Sequence, residues 1–140
     1  MKLLLDTCVI SEFIKPAPNA GLVAWIREQS ELTLYISAVS LGEIQEGIAA
    51  LHPSAKRTKL QAWLDGDLRR RFSGRVLMVC DDVCIIWGHI RAQSAKRGNT
   101  LSKMDALIAA SALFHKAAVV TRNVDDFKSV TGLNLIKPWT

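Results

Sequence analysis

Five carboxylates stand where a folded chain could gather them: Asp6, Glu43, Asp105 and the adjacent pair Asp125 and Asp126. Each has an ordinary structural explanation. Asp6 follows a short apolar run and is a favourable helix N-cap. Glu43 closes Ser40-Leu41-Gly42-Glu43, which fits the S/T-x-x-E capping box, and Asp105 closes the looser Ser102-Lys103-Met104-Asp105. Asp125 and Asp126 lie in Thr121-Arg122-Asn123-Val124-Asp125-Asp126-Phe127, which reads as a polar loop with a helix cap. Capping and metal ligation are compatible, because a helix dipole favours the carboxylate anion in the first turn and a hard cation needs that anion. The conjunction carries more than any single acid. Three strand ends deliver an acid to one edge of a parallel sheet, and the helix bearing Asp105 delivers another. Such a gathering of like charge is unfavourable unless a cation sits within it. Magnesium, Mg2+, suits it, taking oxygen ligands and needing only one or two carboxylates per ion. A divalent ion there can acidify a water and neutralise charge on a phosphodiester during in-line displacement.

Other chemistries lack their residues. His52, His89 and His115 are scattered, so no Ser/His/Asp arrangement competes. There is no Walker loop and no GxGxxG. The three cysteines are odd in number and form no CxxC or Cys/His cluster, which argues against zinc and for a reducing cytoplasm.

The elements that must position these acids alternate between strand and helix. Lys2–Leu5 reads as a buried strand ending at Asp6; residues 7–14 are helical and stop before Lys15-Pro16-Ala17-Pro18. Leu22, Val23, Trp25 and Ile26 mark a short amphipathic helix. Residues 32–37 alternate as a second strand, and 40–51 and 56–72 have helical spacing. Residues 75–80 read as a third strand, then a helix capped by Asp81 or Asp82 runs to Arg97 and closes at Gly98-Asn99. A helix over 102–116 and strands at 117–121 and 133–136 complete the chain. The expectation is one α/β domain over residues 1–140, a central parallel β-sheet flanked by helices on both faces.

Composition agrees. With 140 residues, 49% hydrophobic and 22% charged, the chain buries a core of its own without disulfides. No apolar run approaches the ~20 residues of a membrane span and no signal peptide is visible, so a soluble, cytoplasmic protein is expected. Net charge is +5, and 18 Lys and Arg face the nine acids left when four of the 13 are assigned to one pocket. That layout suits a polyanion outside and metal within.

The sequence resembles the PIN-domain ribonucleases, specifically the VapC- and FitB-like toxins of toxin–antitoxin pairs. The matching stretches are Leu3-Leu4-Leu5-Asp6-Thr7 with Val9-Ile10-Ser11-Glu12, and Ile36-Ser37-Ala38-Val39-Ser40-Leu41-Gly42-Glu43. Ile90-Arg91 with Gly98, Asp105-Ala106-Leu107-Ile108-Ala109-Ala110-Ser111-Ala112, Thr121-Arg122-Asn123 with Asp126-Phe127, and Lys137-Pro138-Trp139 follow in order. The resemblance implies a PIN fold and cleavage of RNA, transfer RNA being a family-level expectation, with Mg2+ or substituting Mn2+ held by Asp6, Glu43, Asp105 and a fourth acid. Family members carry that acid either where Asn123 stands or where Asp126 stands. Asp126 is therefore chosen over Asp125, with Asn123 as a polar helper. Thr7 and Ser37 match small hydroxyl residues that orient an acid or a water. Cys8 departs from the family's Asp-Thr-Asn and puts a weakly hydrogen-bonding thiol beside the first acid. A homodimer and a cognate antitoxin are also implied, the antitoxin packing over the toxin in a heterotetramer or larger and carrying any contact with operator DNA. Trp25 and Trp63 offer it an apolar surface unless they simply pack in the core. Lys96, Arg97 and Lys103 are candidates to meet RNA phosphates, whereas Arg69-Arg70-Arg71 reads as a solvated face. The alternative is a weakly active or inactive module acting mainly with its antitoxin in operator binding and autoregulation.

Overall fold

The computed structural model describes residues 1–98 and 101–140. Five strands, β1 (Lys2–Leu5), β2 (Leu34–Ser37), β3 (Val76–Leu77), β4 (Ala117–Val120) and β5 (Leu135–Ile136), pair in parallel in the order β3-β2-β1-β4-β5. The central strands β1 and β4 are almost wholly apolar because a parallel strand is covered on both faces. Alternation then sorts their side chains between two cores. Leu3, Leu5, Ala118 and Val120 enter one; Leu4, Ala117 and Val119 enter the other.

Helices α1 (Thr7–Glu12), α2 (Ala20–Glu28), α3 (Ala38–Ala49) and α4 (Ala55–Ala62) supply the first core, joined by a wide-turn segment Trp63–Leu68 and the short α5 (Arg69–Arg71). The second core is closed by α6 (Asp81–Lys96), α7 (Lys103–His115) and α8 (Val124–Phe127). The sheet is thus flanked on both faces, as the alternation of elements requires. Trp25 and Trp63 pack, partly buried, against the first core.

Several boundaries differ from the sequence reading: the first helix ends at Glu12, the second strand starts at Leu34 after a tight turn over Glu31–Thr33, and the last strand is only Leu135–Ile136. Three further differences have a clear physical reason. The third strand is two residues long, because β2 ends at Ser37 to start α3 and leaves later residues nothing to pair with. The helix expected over 56–72 widens to i→i+5 hydrogen bonding at Trp63–Leu68, around Gly66, a poor helix former, while Leu64 and Leu68 stay buried. Helix α3 begins at Ala38 with Ser37 as its N-cap, so Ser40 and Glu43 are not a capping box. The α6 terminus expected at Gly98-Asn99 is met at Gly98, with φ +65°; Asn99 lies outside the described residues.

The chain leaves β1 toward β2 and β3 on one side, then crosses back to lay β4 and β5 on the other. The helix after β1 covers one face and the helix after β4 the opposite one. Between the carboxyl ends of β1 and β4 lies the topological switch point, where open α/β sheets bind ligands.

Candidate active site

Asp6 occupies that switch point. Its backbone N–H continues the ladder to the Val120 carbonyl (2.9 Å). It caps α1, with Oδ1 accepting the Thr7 N–H at 2.8 Å, while Oδ2 accepts the Thr121 hydroxyl, also at 2.8 Å. The Cys8 thiol lies 3.7 Å from Oδ2. Only 5% of Asp6 is exposed.

Glu43 reaches the same place from α3. Thr7 donates its hydroxyl to Glu43 Oε1 at 2.7 Å, and Ser40 Oγ lies 2.7 Å from the same Thr7 oxygen. A hydroxyl has one proton, so with Thr7 donating to Glu43, Ser40 donates to Thr7. Asp105 is the third residue of α7, whose N-cap Ser102 accepts the Asp105 N–H at 3.1 Å. The expected looser capping pattern is present at that N–H.

Electrostatics ties the acids together. Burial pushes the Asp6 carboxyl above its ordinary range; hydrogen bonds from Thr121, Thr7 and Cys8 pull against it, and the Asp105 charge pushes it further. Asp105 is likewise raised, first by burial and also by the charge of Asp126, with the Ser102 hydrogen bond opposing. Of the alternatives for the fourth acid, Asp126 is thus the one whose charge reaches Asp105. Asp125 is exposed and faces Lys128 at 3.4 Å. Asn123 contributes backbone, its N–H donating to Thr121 Oγ1 (3.0 Å) and its carbonyl accepting from the Asp126 N–H (3.0 Å).

Ser37 is buried, but its hydroxyl accepts the Val39 N–H as the α3 cap, and the hydroxyl this segment offers to the site is that of Ser40. Sequence reasoning missed Ser40 because a capping-box match explained its spacing to Glu43. It also missed Thr121, whose only signal was a polar side chain ending an apolar strand. A third omission is the brace formed by α6. Trp87 Nε1 donates to the Lys103 carbonyl (3.0 Å) and Arg91 to the Leu101 carbonyl (2.9 Å), holding the start of α7. Arg97, expected to meet phosphates, donates to the Ser129 carbonyl (2.7 Å) just beyond α8. In the basic run, Arg71 sits against Phe13 and Phe72 and pairs with Glu31 at 2.7 Å.

Among the described residues, no lysine or arginine forms an ion pair with Asp6, Glu43, Asp105 or Asp126, and no three potential ligands converge as a ready-made cage. The set nonetheless fits a hard divalent cation. Its donors are all carboxylate oxygens, and Asp6 and Asp105 carry negative charge that burial and mutual repulsion make costly until a cation compensates it. A site of this kind that leaves positions to water does not need a closed cage.

The PIN domain family matches residues 3–133. The VapC ribonuclease Y4jK of Sinorhizobium fredii is 37% identical over 137 residues, covering 98% of this chain and 97% of its own. Toxin FitB of Neisseria gonorrhoeae is 33% identical over 137 residues, 98% of each chain. The crystal structure of FitAcB from N. gonorrhoeae superposes with a TM-score of 0.90 at 33% identity, covering 98% of both chains. The chain therefore belongs to the PIN-domain family, as a VapC/FitB-like member.

Proposed function

We propose that this chain is a divalent-metal-dependent endoribonuclease, the toxin of a toxin–antitoxin pair, with Asp6, Glu43, Asp105 and Asp126 as its metal-holding acids. The observation that carries the reading is the buried Asp6 at the switch point, pressed by the charge of Asp105 with no cationic side chain among the described residues paired to it. A hard cation such as Mg2+ (or Mn2+) held there supplies water acidification and charge neutralisation at a phosphodiester. The chain's own residues prepare the acids. Thr121 and the Thr7 N–H fix both Asp6 oxygens, and the Ser40–Thr7 hydroxyl pair orients Glu43. Relatives named as a VapC ribonuclease and a FitB toxin support the RNA substrate and the toxin role. A solved relative, FitAB bound to an IR36 DNA fragment, supports an antitoxin partner through which operator DNA is contacted. The reading extends to a cytoplasmic homodimer assembled with its antitoxin and to transfer RNA as the substrate class to try first.

Cys8 favours the second reading, a weakly active module serving mainly operator binding and autoregulation, because a weakly hydrogen-bonding thiol stands 3.7 Å from Asp6, where the resemblance implies an amide. RNA cleavage by the antitoxin-free chain separates the two. Cleavage should stop with a chelator, and folded Asp105→Asn should cut at least about 100-fold more slowly; a folded Asp105→Asn that cuts as fast as wild type would remove the proposed mechanism.

A further inference from the structure

Outside the acid pocket, the helices of the first core leave an open groove of about 650 Å³ between α1, with the turn that follows it, and α4. Ser11, Ile14 and Lys15 line one wall; Lys56, Lys59 and Leu60 line the other. Ser11 follows Thr7 by four residues on α1 and so lies on the same side of the helix, about 6 Å further along. The groove therefore opens one helical turn from the hydroxyl that holds Glu43.

Its charge is one-sided. Helix α4 carries Lys56, Arg57 and Lys59 and no acid. Lys56 and Lys59 are exposed, and among the described residues neither forms an ion pair. Lys15 differs, because Glu12 holds it at 2.8 Å and much of its charge is already answered.

We propose that this groove carries the phosphate backbone of the RNA strand on one side of the scissile bond, with Lys56 and Lys59 each neutralising a phosphate. The inference rests on the ribonuclease reading above. The acids and their cation engage only the reacting phosphodiester, so a strand gains affinity from cationic side chains that meet the phosphates on its flank. The Ser11 wall stands one helical turn from Thr7, so a strand leaving the acids on that side passes along the groove that Lys56 and Lys59 face. Among the described residues no aromatic side chain lines the groove, so bases have no stacking platform. The aliphatic surfaces of Ile14 and Leu60 accept a sugar or base face without demanding a hydrogen bond, which makes the contact tolerant of sequence.

The test is cleavage of a fluorescent single-stranded oligoribonucleotide by the full chain and by the Lys56→Gln/Lys59→Gln double variant, at several salt concentrations. The variant is expected to raise KM about fivefold or more, to keep kcat within about twofold, and to lower the salt slope of log KM by about 1.4 for two phosphates on a single strand. The Lys56→Arg/Lys59→Arg variant should retain the wild-type KM. Unchanged KM and salt slope in the Gln variant would overturn the inference. So would loss of affinity for an acidic antitoxin peptide with the RNA parameters unchanged, which would make the groove a peptide dock. Failure of the ribonuclease reading shows separately, as a wild-type chain that cuts no RNA.

Discussion

At the scale of single residues, Thr121 shows how a site can depend on a group that touches no substrate. It is fully buried, donates to Asp6 and accepts from the Asn123 N–H, so one hydroxyl joins the first acid to the loop that presents Asp126. Thr121→Val keeps the shape but leaves a buried carboxylate oxygen with only the weakly donating Cys8 thiol, and a backbone N–H without its hydroxyl acceptor. It should cost about 1–3 kcal/mol in urea unfolding and slow RNA cleavage about 10-fold or more. Thr121→Ser should restore both; a Val variant with wild-type cleavage would show that Asp6 needs no such partner. The bond to Asp6 was not legible locally, because its partners are 115 residues apart in sequence. Ser40 was hidden for the opposite reason: its local pattern had a sufficient explanation, and the helix starts three residues earlier than that explanation needs.

At the scale of elements, the sequence was most readable where a segment's environment is uniform. The short apolar runs of β1 and β4, bounded by polar residues, read as strands covered on both faces, and Asp6 at the end of β1 followed from that. Helix α7 was legible from its run of Ala and Leu; the structure adds that Ser102 caps it and that Lys116, with φ +57°, ends it. The length of β3 was not, since it is set by where β2 stops. Nor was the brace of α6, whose Trp87 and Arg91 bond to carbonyls before and within the first turn of α7. That brace holds the turn bearing Asp105. Arg91→Met removes the donor to the Leu101 carbonyl and should cost about 1 kcal/mol. Hydrogen exchange in the first turn of α7 should quicken; if it matches wild type, α6 does not hold that turn.

For the whole molecule, fold stability and site function pull in opposite directions. Asp6 and Asp105 have carboxyls raised above their ordinary range, so the folded metal-free chain binds their protons more tightly than the unfolded chain does. Their contribution to stability is therefore fully present at low pH. It is lost as pH rises from the ordinary carboxylate range, near 3.9 for an aspartate, through their raised values. Glu12 works the other way, its carboxyl lowered by the Lys15 hydrogen bond, so it stabilises above its unfolded range and loses that as pH falls. The difference between wild type and Asp105→Asn isolates the site. In metal-free thermal melts from pH 4 to 7, the Asn variant should gain relative to wild type as pH rises, by a Tm advantage of about 1–3 °C at pH 7. A constant or declining difference would mean that Asp105 carries no such strain.

The same charge imbalance gives the most direct test, which is calorimetric titration of the antitoxin-free chain with Mn2+. The carboxylates of Asp6, Glu43, Asp105 and Asp126 should bind the ion in the absence of any partner, and Asp105→Asn should weaken that binding by at least about tenfold. If the folded wild-type chain takes up no Mn2+, the four acids are not a cation site and the nuclease account fails with them.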